Sequence, residues 1–299
     1  MLKTKITHRF SSFFQGLSAL PRCDGMASVG EQQATFFHRA CNGVYLGDHR
    51  VLTSSVHGAR LILDTRDIIL TPIILQKGEW EPETSRVLCD LLRPGMNFVD
   101  VGANIGYFTV HAGMRVRPGG KMWAFEADPV AFEFLCDNVN LNWFFDGVTL
   151  ENKAIYSCSG EVNLFQRQKY RGNTSIAKIA EDDLVKIIDS QVELRVVSAS
   201  LDEYFSNVND RLDLVKIDVE GAEPYVLEGM RKLNRHQPNM NILKEWTTGQ
   251  NDEYKRNPKE MLDMISQFNF KLQIVRDGLE AISFSDLRAI PHGMVLLTR

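Results

Sequence analysis

Residues 97–109 read NFVDVGANIGYFT, an apolar run that ends in Asp100 and is followed by two glycines and a segment of helical periodicity. This order predicts a strand, a tight turn and a helix N-terminus whose first backbone N–H groups are free to bind an anion. Gly102 and Gly106 have no Cβ, so a ligand or another stretch of backbone can approach them closely. Asp100 adds an acceptor for an ammonium or hydroxyl group. We therefore expect a ligand that carries both a negative and a positive charge.

Strands and helices alternate on both sides of this stretch. A second strand is predicted at residues 121–125 and ends at Glu126, and Asp128 caps the helix that follows. This spacing is typical of a βαβ unit, so the sequence predicts an α/β fold with a doubly wound, mostly parallel sheet. Further strands are predicted at residues 148–155, 161–165, 194–198, 212–219 and 240–246, with 270–275 and 294–298 as an antiparallel pair at the sheet edge. Helices are predicted at residues 81–92 and 107–116, and from Pro129, Pro224 and Pro258 onward.

The N-terminal region has a different pattern. Residues 1–74 are predicted to form an arm and an accessory cap with short strands at residues 42–46, 60–64 and 67–70. Residues 1–23 contain four basic residues and no acidic residue, with phenylalanines at roughly helical spacing. Such a segment is typical of a transit peptide or a surface-binding amphipathic helix, and also of a plain N-terminal helix or frayed arm.

Composition excludes several classes of function. The chain has 299 residues, of which 44% are hydrophobic and 24% charged, and its net charge of −4 gives no basic field for nucleic acid. We therefore expect no nucleic-acid partner. No apolar run approaches the roughly 18 residues that span a bilayer. The five cysteines are odd in number and widely spaced, which favours reduced thiols in a cytoplasmic protein.

Acidic residues lie at or near the ends of four predicted strands, namely Asp100, Glu126, Asp218 and Glu245. In an open α/β sheet, ligands bind beyond the carboxyl ends of the strands. Glu126 follows Gly102 by 24 residues, a position from which a carboxylate accepts both hydroxyls of a ribose. The alternative role for Glu126, capping the next helix, is already filled by Asp128. The pattern therefore favours a nucleoside ligand.

The turn discriminates between two nucleoside cofactors. A dinucleotide fingerprint is GxGxxG, whereas Asn104 stands where the second glycine allows a pyrophosphate to approach. A methionine group, with its carboxylate at the helix N-terminus and its ammonium near Asp100, is not crowded in this way. S-adenosylmethionine is therefore favoured as the cofactor. A nicotinamide-dependent oxidoreductase and a non-catalytic nucleoside-binding module remain alternatives.

Four motifs carry a family resemblance: DVGANIGYFT, AFEADP, SLDEY and LVKIDVEGAE. Together they resemble the FkbM family of S-adenosylmethionine-dependent methyltransferases. The resemblance implies a seven-stranded class I methyltransferase fold over residues 75–299, with a variable insertion at residues 166–192. It also implies O-methylation of a hydroxyl on a small-molecule, natural-product or saccharide acceptor. The cofactor contacts that it implies are Asp100, Gly102, Ala103, Asn104, Gly106 and Glu126.

The KIDVEGAE segment bears on mechanism. On a strand Lys216 and Asp218 share one face, although a parallel strand buried on both faces is normally almost wholly apolar. Buried charges require partners, so one interpretation is a structural ion pair that also involves Glu245. The other interpretation is that Asp218 orients or deprotonates a substrate hydroxyl while Lys216 holds its ionisation state. Asp218, Lys216 and Glu245 are accordingly the predicted catalytic residues.

Two further groups of side chains carry weaker signals. The carboxylates of Asp218, Glu220, Glu223 and Glu245 are suitable ligands for a divalent cation, but their spacing is not diagnostic and a metal is not favoured. His57, His111 and His292 are isolated in the sequence and are interpreted as packed or surface residues. The identity of the acceptor and the oligomeric state are left open.

Overall fold

The computed structural model describes residues 43–247, 258–268 and 270–299. The predictions for residues 1–23, for the start of the first strand at residue 42 and for Cys23 and Cys41 concern parts of the chain outside these ranges. Of the helix predicted around residue 258, the structure describes the part from Pro258 onward.

A three-stranded antiparallel sheet opens the described chain, formed by β1 (Val44–Gly47), β2 (Arg50–Ser54) and β3 (Arg60–Asp64). The prediction of a strand at residues 60–64 is confirmed, and β2 was missed. The prediction of a strand at residues 67–70 is wrong, because helix α1 (Leu70–Lys77) begins there. Asp67 Oδ1 accepts the backbone N–H groups of Ile69 and Leu70 at 2.9 and 2.6 Å, which favours the helical start. Helix α2 (Pro82–Leu91) follows as predicted.

The remaining elements follow in alternating order. They are β4 (Phe98–Val101), α3 (Tyr107–Val116), β5 (Met122–Phe125), α4 (Pro129–Leu141), β6 (Val148–Glu151), β7 (Ala154–Ile155), β8 (Gly160–Arg167), a 3₁₀ turn (Arg171–Asn173), α5 (Glu181–Lys186), β9 (Gln191–Ala199), α6 (Leu201–Tyr204), β10 (Leu214–Ile217), α7 (Glu223–Glu228), α8 (Arg231–His236), β11 (Asn241–Thr247), α9 (Pro258–Ser266), β12 (Lys271–Val275), β13 (Leu279–Ile282), α10 (Phe284–Ala289) and β14 (His292–Thr298).

The main sheet has eight strands in the order β13-β12-β14-β11-β10-β4-β5-β6. Strands β11, β10, β4, β5 and β6 are mutually parallel, and β14 pairs antiparallel with β11 and β12. The predicted α/β, doubly wound, mostly parallel fold is therefore observed. The eighth strand, β13, was not predicted; it forms an antiparallel hairpin with β12 and makes the edge of the sheet.

Two predicted elements are divided in the structure. The strand expected at residues 148–155 is split into β6, in the main sheet, and β7, which pairs with β9 in a second sheet of order β7-β9-β8. Between them, Asn152 Nδ2 donates to the backbone oxygen of Glu126 at 2.8 Å and fixes the change of direction. The helix expected after Pro224 is divided into α7 and α8 at Gly229, which packs so closely that an added Cβ would lie 2.2 Å from the Tyr156 carbonyl oxygen.

Two apolar clusters form the core. In one, residues of β3 and α1 such as Leu61, Leu63 and Ile74 belong to the same buried cluster as residues of α3 and α4. The Asn138 side chain of α4 also bonds the backbone N–H and C=O of Ile62 at 2.6 and 3.0 Å. The other cluster includes buried side chains of α7, α8 and α9. The described part of the N-terminal region thus shares the core of the main sheet, and the domain boundary at residue 74 stays a prediction.

The structure also bears on membrane association and on the thiols. Across the three described ranges, none of the helices combines the length and the apolar character needed to cross a membrane. Cys89, Cys136 and Cys158 are free thiols.

Candidate active site

A cavity of about 700 Å³ lies beyond the carboxyl ends of β4, β5 and β10. Its volume is within the range typical of small-molecule sites. The residues that line it come from the glycine turn, from the ends of β5, β10 and β11, and from the segment between β8 and β9. They include Gly102, Asn104, Glu126, Asp218, Glu220 and Glu245.

The glycine turn is held by bonds within the protein. The N–H groups of Gly102 and Ala103 donate to the Phe125 carbonyl at 3.0 Å, and the Asn104 N–H donates to Glu126 Oε2 at 2.6 Å. Ile105 donates to the Asn104 side chain at 2.8 Å, and the Gly106 N–H donates to the Ala103 carbonyl, also at 2.8 Å. The amides of residues 102–106 are therefore occupied. The helix itself begins at Tyr107, so the expectation that its first N–H groups bind an anion stays a prediction.

Both glycines of the turn are required by the approach of other parts of the chain. Gly102 has φ +78°, and a Cβ built on it would lie 1.8 Å from the Asp218 carbonyl oxygen. Gly106 has φ +83°, and its Cβ would lie 2.6 Å from a methyl group of Leu135. Since both conformation and space favour glycine, the turn packs directly against the end of β10 on one side and α4 on the other.

Glu126 is a buried carboxylate in the cavity wall. Its Oε2 accepts the Asn104 N–H at 2.6 Å and its Oε1 accepts the Asp128 N–H at 2.8 Å. Burial and the neighbouring Asp128 raise the pKa of Glu126 to about 7, even though the two amide bonds favour its ionised form. Asp128 itself caps α4 as predicted, accepting the Val130 N–H at 2.8 Å. The carboxylate of Glu126 is thus fixed in orientation at the end of β5.

The predicted cofactor contacts divide into two groups. Gly102, Asn104 and Glu126 line the cavity, whereas Asp100, Ala103 and Gly106 are not among its lining residues. Asp100 is fully buried and accepts the Thr109 hydroxyl at 2.6 Å. Burial raises the pKa of Asp100, and the nearby Lys216 opposes that rise. The structure therefore places Asp100 behind the wall of the cavity, next to Lys216.

Lys216 and Asp218 form a short ion pair. Lys216 is 1% exposed, and its Nζ donates to Asp218 Oδ2 at 3.0 Å and lies 3.8 Å from Asp100 Oδ1. Burial alone would lower the pKa of Lys216, but the two aspartates raise it above its usual value. Asp218 has 22% of its side chain exposed and lines the cavity. The predicted structural ion pair is therefore present, and its carboxylate also faces the open space.

One interpretation of the sequence places Glu245 in the ion pair of Lys216, and the structure does not show this contact. Glu245 lines the cavity, but the ion pairs of Lys216 are made with Asp100 and Asp218 and not with Glu245. Burial and then the charge of Asp218 raise the pKa of Glu245 to about 10, so this carboxyl is protonated at neutral pH. Its Oε1 lies 3.4 Å from Nδ1 of His292, which also lines the cavity. His292, interpreted from the sequence as isolated, is thus part of the site.

Sequence reasoning missed Glu81 as well as His292. Glu81 precedes α2 in a left-handed conformation with φ +43°, and it lines the cavity. Burial and the charge of Asp218 raise its pKa. Nothing in the sequence around Glu81 points to the site, whereas the antiparallel pairing of β11 with β14, which sets His292 opposite Thr247, would have placed the histidine there. Within the described ranges, no group of three or more His, Cys, Asp or Glu side chains is placed to hold a metal ion.

The predicted insertion at residues 166–192 forms part of the cavity wall. Arg167 Nε lies 2.9 Å from Asp189 Oδ2, and these two side chains are 4% and 0% exposed. Arg171 Nε lies 3.2 Å from Asp64 Oδ2, which attaches the segment to the end of β3. The Arg171 N–H also donates to Asp67 at 3.2 Å. These buried contacts hold the segment in place beside the cavity.

The model of the methyltransferase FkbM domain matches residues 100–272, more than half of the chain. Methyltransferase sdnD of Sordaria araneosa is 32% identical over 154 residues, which is 44% of this chain and 59% of that protein. Methyltransferase 1 of Beauveria bassiana (strain ARSEF 2860) is 29% identical over 146 residues, 44% of this chain and 57% of that protein. The matches thus span less than two thirds of the length of these curated relatives.

Solved structures resemble the chain at lower identity. A methyltransferase FkbM from Methylobacillus flagellatus KT has a TM-score of 0.43 and 12% identity, covering 72% of this chain and 50% of the other. An O-methyltransferase from Bacillus cereus in complex with SAH has a TM-score of 0.44 and 15% identity, covering 74% and 83%.

Proposed function

This chain belongs to the methyltransferase FkbM family, and we propose from this membership that it is an S-adenosylmethionine-dependent methyltransferase acting on a hydroxyl group. The acceptor class that we propose is a small molecule, a natural product or a saccharide. The geometric observation that carries the proposal is Glu126, a carboxylate fixed by two backbone amides at the end of β5 in the wall of a 700 Å³ cavity.

The residues of the cavity fit the cofactor at both ends. Glu126 keeps lone pairs beyond the two that accept amides, so it can accept the ribose hydroxyls that the sequence predicts for it. Glu81 supplies a carboxylate in the same cavity for a cationic group. Glu81 Oε2 is buried without a hydrogen-bond partner among the described residues, which favours a ligand that donates to it. When bound, S-adenosylmethionine supplies a methyl group that is already activated by its sulfonium.

The residues of this chain must provide the other two requirements of the reaction. An alcohol must be aligned with the methyl carbon and must lose its proton as the oxygen–carbon bond forms. In our proposal Asp218 accepts that proton, and it is suited to do so because its carboxylate lines the cavity. Lys216 contacts the Asp218 carboxylate at 3.0 Å and acts as a positioning residue. Glu245, protonated at neutral pH, donates a hydrogen bond to the acceptor and does not serve as the base.

Thermal unfolding with added ligands tests the proposed cofactor. S-adenosylhomocysteine is expected to raise the Tm of the protein, whereas NAD at the same concentration is expected to leave it unchanged. Stabilisation by NAD alone would instead support the nicotinamide-dependent oxidoreductase. Tritium transfer from labelled cofactor into an extract of candidate acceptors then separates a methyltransferase from a nucleoside-binding module without turnover.

A further inference from the structure

The cavity lining combines carboxylates with apolar side chains, and three of its isoleucines come from a single segment. The carboxylates include those of Asp218, Glu220 and Glu245. The segment between β8 and β9 contributes Ile176, Ile179 and Ile187 to the lining, and Ile69 and Leu70 at the start of α1 add to it. A cavity that held only a polar ligand would gain nothing from isoleucines within an otherwise polar insertion.

Hydrogen bonds hold the chain beside Ile176 and at Ile179. Ser175 Oγ donates to the Glu220 carbonyl at 2.8 Å, so Ile176 follows directly on the contact with Glu220. The backbone of Ile179 bonds the Gln191 side chain at 3.2 and 2.7 Å, which fixes it beside the start of β9. Ile187 follows α5 and is 40% exposed while still lining the cavity. Together the three isoleucines form an apolar wall in the same cavity as the carboxylates.

Two ion pairs of its arginines help to hold the segment that carries this wall. Arg167 Nε lies 2.9 Å from Asp189 Oδ2, and both side chains are almost fully buried. Asp189 also accepts the backbone N–H groups of Lys169 and Tyr170 at 2.9 and 3.3 Å. Arg171 contacts Asp64 beside it. A binding surface that is ordered before the ligand arrives loses less conformational entropy on binding.

We infer that the acceptor is a hydroxylated amphiphile, whose hydroxyl-bearing head lies at Asp218 and Glu245 and whose apolar part packs against Ile176, Ile179 and Ile187. The inference rests on the proposed function, since it describes the acceptor of the same site. On this inference the isoleucines of residues 166–192 contribute to the choice of acceptor, while the glycine turn and Glu126 bind the cofactor.

Alkyl β-glucosides of increasing chain length provide a direct test. The full chain is saturated with S-adenosylhomocysteine, and binding of methyl, hexyl and octyl β-glucoside is measured by titration calorimetry below their micellar concentrations. Each methylene buried against the isoleucines is expected to tighten binding about threefold, so octyl glucoside should bind roughly tenfold more tightly than hexyl glucoside. Equal affinity of the three glucosides, or no binding of any, would overturn the inference.

Two matched variants locate the apolar part. Ile187→Asp is expected to weaken octyl glucoside binding about tenfold and to leave S-adenosylhomocysteine binding unchanged. Val185→Asp is the control, because Val185 lies two residues away, is 75% exposed and does not line the cavity. An equal loss in both variants, or no loss in Ile187→Asp, contradicts the inference. Absence of S-adenosylhomocysteine binding to the unaltered protein would count against the proposed function and not against the apolar wall.

Discussion

Two neighbouring strand ends carry a buried lysine and an acid, and they differ in electrostatics. On β10 the pair is Lys216 and Asp218, and on β11 it is Lys244 and Glu245. Lys216 donates to a carboxylate, and its pKa is raised. Lys244 is fully buried and donates to the backbone oxygen of Glu245, and burial lowers its pKa. The end of β10 therefore carries an ion pair, whereas at the end of β11 the carboxyl group of Glu245 is protonated.

The spacing of the residues explains this difference. Lys216 and Asp218 are two residues apart, so in extended chain they share one face and their side chains meet. Lys244 and Glu245 are adjacent, so they project to opposite faces of the strand and cannot meet in the same way. One additional residue between the lysine and the acid thus allows the two side chains to form an ion pair.

The largest effect is expected from Asp218→Asn. The amide keeps the shape of the side chain but cannot accept the acceptor's proton, so turnover should fall by about 10²- to 10⁴-fold. Binding of S-adenosylhomocysteine should persist. Tritium transfer into an extract of candidate acceptors measures the loss. The matched change on β11, Glu245→Gln, mimics a carboxyl that is already protonated and should alter turnover only a few-fold; full activity in Asp218→Asn would exclude Asp218 as the base.

The two lysines should differ in their effect on stability. Lys216→Met leaves Asp100 buried without its cation and is expected to lower the free energy of unfolding by about 3–5 kcal/mol. Lys244→Met removes a charge that burial already disfavours, and the expected change is within about 1 kcal/mol. Urea unfolding of both variants gives the comparison. Equal losses would show that the two strand ends are electrostatically alike.

A third carboxylate at the same sheet edge, that of Glu126, is expected to make ligand binding depend on pH. The pKa of Glu126 is raised to about 7, so its ionised fraction rises from about one tenth at pH 6 to about nine tenths at pH 8. If the ionised form accepts the ribose hydroxyls, S-adenosylhomocysteine should bind roughly tenfold more tightly at pH 8. Calorimetry at both pH values measures this change. In Glu126→Gln the pH dependence should disappear, and its persistence would assign it to another group.

The last test concerns the effect of Glu245→Gln on the pH dependence of stability. Because the pKa of Glu245 is raised from 4.5 to about 10, the folded protein retains a proton that the unfolded chain loses between these values. Retaining this proton stabilises the folded protein in full below pH 4.5, and the stabilisation is lost as the pH rises toward 10. Glutamine removes that loss, so the Tm should rise at pH 8 and remain unchanged at pH 4. A rise at both pH values would indicate a packing effect.

The elements with strong local signals were predictable. The strand, turn and helix of residues 97–116 and the cap at Asp128 follow from glycine positions, periodicity and capping chemistry, all of which act within a few residues. The edge strand β13 was missed because its residues are exposed or half-buried and lack a buried apolar face. The break between β6 and β7 depends on Asn152 bonding the distant Glu126 backbone, which local pattern does not reveal.

The site was predictable where a residue ends a strand. Glu126 and Asp218 were found because the carboxyl ends of parallel strands meet at one edge of the sheet. The role of Asp100 depends on where its side chain points, and the structure directs it to Thr109 and Lys216. Glu81 and the isoleucines of residues 166–192 reach the cavity only through tertiary packing, so no spacing rule places them there.

The contact between Gly102 and the end of β10 constrains how this protein can vary. A Cβ at residue 102 would lie 1.8 Å from the Asp218 carbonyl oxygen, and the Asp218 N–H donates to the Val101 carbonyl at 3.0 Å. The turn that lines the proposed cofactor site and the residue proposed as the base are therefore adjacent pieces of the same packed backbone. A side chain introduced at residue 102 would therefore have to displace the backbone at Asp218.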